Sequence, residues 1–159
     1  MSDAAPAVPR SDPDSAPHSM PASPRDGAAP TAAELARLEQ ARQSLLRVHR
    51  ALLTVERQRY EAVQGRVANN SAFLQLVISD PWFAWLRPMA LLVLLIDERT
   101  SDKKSPLDDA EASALLQRAR TMLQADADGD TFQRLYAQAI QFSPEMAVLS
   151  RQVAAGLSG

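Results

Sequence analysis

The chain has 159 residues, a formal net charge of −2 and no cysteine. That length suits one ordinary domain, and the missing thiols exclude disulfides, thiolate metal sites and cysteine nucleophiles. The slightly acidic balance speaks against nucleic acid as a partner.

Residues 1–30 hold seven of the eleven prolines, several Ser and Asp, and almost no large apolar side chain. Nothing there can offset the entropy of ordering, so a disordered tail is expected, followed by a single helical domain over 31–159. The same stretch lacks the charged and apolar regions of a secretory signal, which predicts a cytoplasmic protein.

From Thr31 the pattern changes. "TAAELARLEQARQSLLRVHRALLTVERQRYEAVQG" has no internal proline or glycine, places Glu34 three residues after Thr31 and stops at Gly65. A capping box and a terminal glycine thus bound one long helix. About 34 residues at 1.5 Å each reach roughly 50 Å, enough to overhang a small bundle. Such a helix either bends over its neighbours or packs on another chain, and self-association through it is the expected use.

"NNSAFLQLVISD" reads as a short buried helix. Asp80 before Pro81 is a helix start, giving a short helix over 81–86, and Pro88 about two turns later starts a second one through "MALLVLLIDERT". Two starts so close predict a sharp corner carrying Trp82, Phe83 and Trp85. "MALLVLLI" is far short of the roughly 20 apolar residues that span a bilayer, so no transmembrane segment is expected. Apolar all round, it reads instead as a central core helix.

"SPLDDAEASALLQRARTMLQ" has Ser105 as cap, Pro106 in the first turn and three acids where the helix dipole favours them. "ADADGD" ends that helix, residues 131–142 form another amphipathic segment, and "SPEM" starts a last short helix. "DADGD" falls short of a calcium loop, because its glycine stands fourth and Ala137 occupies the twelfth position. The class is all-α, an irregular bundle of five or six helices with one long N-terminal helix.

Few residues suggest chemistry. On the first helix, steps of 100° align Leu38, Leu45, Leu52 and Val63, and Glu56 falls on the same line with His49 and Tyr60 within about 40°. A carboxylate on an inner face must be paired or protonated. Arg59 or Arg87 would be its partner in a structural ion pair. The functional alternative is a pocket in an enzyme or small-ligand binder, formed by His49, Glu56, Tyr60 and Arg87 with Glu56 as base or ligand. Trp82, Trp85 and Arg87 are of the residue types that dominate interfaces when buried. They are therefore candidate binding residues, or core anchors. A further alternative is peripheral membrane contact through Trp82, Phe83 and Trp85, against which the missing basic face counts.

The two histidines, His18 and His49, exclude an all-histidine metal site, and the Glu-x-x-His pairs of di-iron bundles are missing. No catalytic residue, metal or cofactor is assigned. The strings "ERQRYEAVQGRV", "FLQLVISDPWFAWLRP" and "LLIDE" resemble a family of short bacterial helical proteins over roughly residues 45–155. The resemblance implies an all-helical cytoplasmic protein and brings no activity with it. Fifteen arginines against two lysines also fit the codon bias of a GC-rich bacterial genome. The function expected is non-catalytic: a structural or protein-interaction role, with a protein partner or a second copy of the chain.

Overall fold

In the computed structural model, which describes residues 27–158, the chain is built from six α-helices and one 3-10 helix, without a strand among the described residues. The expected tail lies outside the described residues as far as residue 26. Its last four positions are described: Gly27 takes a φ of 85°, and the Ala28 carbonyl accepts the Asp109 N–H at 2.8 Å. The ordered domain therefore begins slightly before Thr31.

Helix α1 spans Ala32–Gln64 and is bounded as expected. Thr31 and Glu34 form the reciprocal capping box, and Gly65 follows with a φ of 94°, a conformation that favours glycine. Its buried line runs Leu38, Ala41, Leu45, Val48, Leu52, Val55 and ends at Glu56. Val63, placed on this line by the helical wheel, is 68% exposed. α1 packs against every later helix, most lightly against α2 through Arg57, so it is the spine of the bundle.

Helix α2 spans Asn70–Ser79, capped by the Asn69 side chain on the Ala72 N–H at 2.8 Å. It is a helix as expected, but contains no buried residue. Phe73, Leu76 and Val77 are half-buried, whereas Leu74 and Ile78 are 56% and 57% exposed. An apolar run thus does not make this a buried helix. It lies on the rim, where only one of its faces has a partner.

Asp80 ends α2 and caps the next segment, its carboxylate accepting the Trp82 N–H at 2.8 Å. The 3-10 helix Pro81–Leu86 runs straight into α3, Arg87–Ser101, because Leu86 and Arg87 both keep right-handed helical dihedrals. The corner is therefore single, a 73° bend at Asp80, and not a pair of corners at Asp80 and Pro88. Pro88 is tolerated in the first turn of α3, where the N–H it lacks would have no partner anyway. α3 is not the central helix that its composition suggests. Met89, Leu92, Val93 and Ile96 face inward, while Leu91 and Leu94 are 61% and 52% exposed.

Helix α4 spans Asp109–Met122, and its cap is Asp108 rather than Ser105. The Asp108 carboxylate accepts the Glu111 N–H at 2.8 Å, Leu107 is buried, and the Ser105 N–H and carbonyl serve Asp102 and Arg99 instead. A carboxylate cap wins because it adds a full charge at the positive end of the helix. Asp126 and Asp130 then shape the turn read from "ADADGD", Asp130 forming a capping box with Gln133 at the start of α5, Thr131–Phe142. Ser143 caps α6, which spans Pro144–Leu157 and is as long as α4, not the short helix expected.

Candidate functional site

The six sequence-predicted site residues do not converge. Glu56 is 3% exposed and accepts from the Arg59 guanidinium at 2.8 Å, one turn along α1. Arg59 continues the inner line of α1 where the apolar core runs out, and its guanidinium lies over the Phe142 ring of α5 at 5.7 Å. The pair closes one end of the core, with the carboxylate inside and the cation at the rim. Arg59 is thus the partner, and Arg87 is not.

Arg87 is exposed and donates through Nη2 to the Ile78 carbonyl at 2.7 Å. It binds the negative end of the α2 dipole across the bend, a good use for a cation one turn from an open helix end. The pocket expected from His49, Glu56, Tyr60 and Arg87 therefore loses its cation. The other three share a flank of α1 at helical spacing, but their partners differ. Tyr60 stacks on the aromatic residues of the 3-10 helix, Glu56 holds Arg59, and His49 is half-buried with its pKa lowered by that burial. Burial without a carboxylate partner favours neutral imidazole, so His49 has the character of a packed side chain.

The aromatic corner divides its rings between two sides. Trp82 meets Tyr60 edge-on at 5.6 Å, and Phe83 lies between Tyr60 and Phe73, each at 5.6 Å. Trp85 points the other way, onto Phe132 of α5 at 5.4 Å, and Phe132 continues to Tyr136 at 6.1 Å. Phe83 is 1% exposed and both tryptophans are half-buried. The corner wedges apart the ends of α1, α2 and α5. Arg57 extends the first cluster, its guanidinium 4.9 Å from the Phe73 ring centre, while it also pairs with Glu61 at 3.1 Å.

Other polar groups are spent on joining helices. Arg42 of α1 pairs with Asp97 of α3, and Arg99 of α3 pairs with Glu111 of α4, each charge-assisted contact tying two helices together. These partners hold the Glu111 carboxyl below its usual range, chiefly through the Arg99 hydrogen bond. Burial raises the Tyr136 phenol, opposed by Ser150, although the hydroxyl lacks a well-formed hydrogen bond among the described residues. No group of three or more His, Asp or Glu among the described residues is placed to hold a metal ion.

Two cavities are lined by other residues. One of about 590 Å³ opens between α1 and α6, lined by Thr54, Val55, Gln58, Ser143, Glu145 and Met146. Another of about 230 Å³ sits between α4 and α5 around Arg118, Met122 and Phe132. Neither gathers a nucleophile, a base and a charge stabiliser, as an active site requires.

What sequence reasoning missed is a stripe on α2 and α3. Leu74 and Ile78 are one turn apart on α2, Arg87 reaches the Ile78 carbonyl, and Leu91 and Leu94 follow one and two turns after Arg87. All four apolar side chains are more than half exposed. A signal was available: between Val67 and Ile96 the only charged residues are Asp80 and Arg87. Both hydrogen-bond the backbone at the bend, and Arg87 is the one exposed charge between Ile78 and Leu91.

Comparison with known proteins finds no match. No family model matches the chain, and neither a curated protein nor a solved structure is similar to it. No single described helix is long and apolar enough to cross a membrane; α2 with Pro81–Ser101 reaches that length only through the 73° bend.

Proposed function

We propose that this chain is a non-catalytic helical-bundle protein of the bacterial cytoplasm that works by binding protein. The observation that carries the proposal is the exposed apolar stripe of Leu74, Ile78, Leu91 and Leu94. Single exposed leucines are ordinary, but four large aliphatic side chains on two adjoining helices, interrupted by Arg87 alone, are the pattern of an interaction surface. The dispersal of His49, Glu56, Tyr60 and Arg87 supports a binding role over catalysis. Trp82 and Trp85 support the surface from beneath, by fixing the angle between α2 and α3.

The test is site-specific photo-crosslinking in cells. A photoreactive phenylalanine analogue in place of Leu94 should give discrete protein adducts, and the same analogue in place of exposed Gln138 on α5 should not. Equal labelling at both positions, or adducts to lipid alone, would overturn the proposal.

A further inference from the structure

We infer that the occupant of the α2–α3 stripe is a second copy of this chain, seated across a two-fold axis. The inference rests on the protein-binding role proposed above and names its partner. From the fractional exposures of Leu74, Ile78, Leu91 and Leu94, the four side chains present on the order of 400 Å². A standard interface takes roughly 800 Å² from each partner, of which about 56–65% is apolar. The four residues thus supply most of the apolar share of one half of such an interface.

Charge selects the occupant. A two-fold interface apposes a patch to itself, so any net charge within the patch repels its own image. On the exposed face of α3, Arg87 precedes Leu91 and Leu94 and exposed Glu98 follows them by one turn, so the two ends of this face carry opposite charges. Asp80 is half-buried on the Trp82 N–H, and Arg87 is held to the Ile78 carbonyl at the end of α2. A stripe without net charge is compatible with its own image. An anionic membrane would instead select lysines and arginines along the rim. Near the stripe, Arg57 is paired with Glu61, Arg87 is held to the Ile78 carbonyl and Arg66 precedes α2, while Lys103 and Lys104 follow the far end of α3. A charged protein partner would likewise need complementary charges that this face does not carry.

Sedimentation of the purified full chain from about 1 to 200 µM tests the inference, since interfaces of this size span micromolar to tighter affinities. A dimer is expected, and Leu91→Glu should weaken it by about 100-fold or more because it places like charges across the axis. Val148→Glu on α6, also at an exposed apolar position, should leave it unchanged. Circular dichroism guards against misfolding, and a second route avoids it: the chain has no cysteine, so Leu91→Cys should join copies through a short bismaleimide and Val148→Cys should not. A monomer throughout that range, or a dimer indifferent to Leu91→Glu, overturns the inference. In that case discrete photo-adducts to a different protein would leave the protein-binding role standing. Flotation of the chain with phosphatidylglycerol vesicles would remove both.

Discussion

Phe83→Ala tests the wedge at the aromatic corner. The Phe83 side chain is 1% exposed and lies between the Tyr60 and Phe73 rings, each 5.6 Å away. Burying a phenylalanine removes about 150 Å² from water, which at about 25 cal/mol per Å² corresponds to about 4 kcal/mol. Core truncations of this kind cost about 3–5 kcal/mol, and the two ring contacts place Phe83 in the upper half of that range. Trp85→Ala removes a larger ring that is only half-buried and has one ring neighbour, so about 3 kcal/mol is expected. Leu91→Ala, at an exposed position, should fall within about 0.5 kcal/mol at a protein concentration where the chain is monomeric. Urea unfolding followed by circular dichroism reads all three. With a slope of about 2 kcal/mol per molar, Phe83→Ala should lower the midpoint by about 2 M at unchanged slope. A loss under about 1 kcal/mol for Phe83→Ala would refute the wedge and return the corner to the surface.

The Glu56 and Arg59 pair should behave as a buried carboxylate with one partner: Arg59→Met should destabilise by about 2–3 kcal/mol, and Glu56→Gln with Arg59→Met together by less than the sum, as a double-mutant cycle would show. Asp108→Ala should cost about 1 kcal/mol in thermal unfolding while Ser105→Ala is near neutral, because the cap of α4 is the carboxylate. His49 gives a pH signature. Burial lowers its folded pKa below the ordinary 6.5, so the unfolded chain takes up the proton first. Its contribution is complete above about pH 6.5 and is lost as pH falls through the folded value. His49→Asn should flatten the stability profile below about pH 6.5, and an unchanged slope would show that other groups cause it.

Much of this fold was legible in the sequence because its helix ends are written in short polar signals. Thr31 with Glu34, Asp80 with Pro81, and Ser143 with Pro144 mark starts that do not depend on tertiary contacts. Where two cap candidates competed, as at Ser105 and Asp108, local pattern could not weigh the Arg99 and Asp102 contacts that occupy Ser105. Burial was less legible than helicity. Val63, Leu74 and Leu91 look like core residues by composition, yet their exposure depends on which neighbours arrive, a tertiary outcome. The same limit hid the partner of Arg87, since the Ile78 carbonyl lies across a bend whose angle the sequence does not state. Glu56 was recognisable as a paired inner carboxylate, because helical phase alone places Arg59 within reach one turn on.

Helix α2 has no buried residue and is fastened by the Arg87 contact at its C-terminal end and by the ring of Phe73, under Arg57, near its N-terminal end. Its free energy of local opening should therefore lie well below that of α1, whose inner line is sealed from Leu38 to Glu56. Amide exchange should pass through α2 long before the bundle unfolds. Such a helix can be reshaped by what settles on it without disturbing the spine, so the chain can adjust its outer arm at the cost of local melting alone.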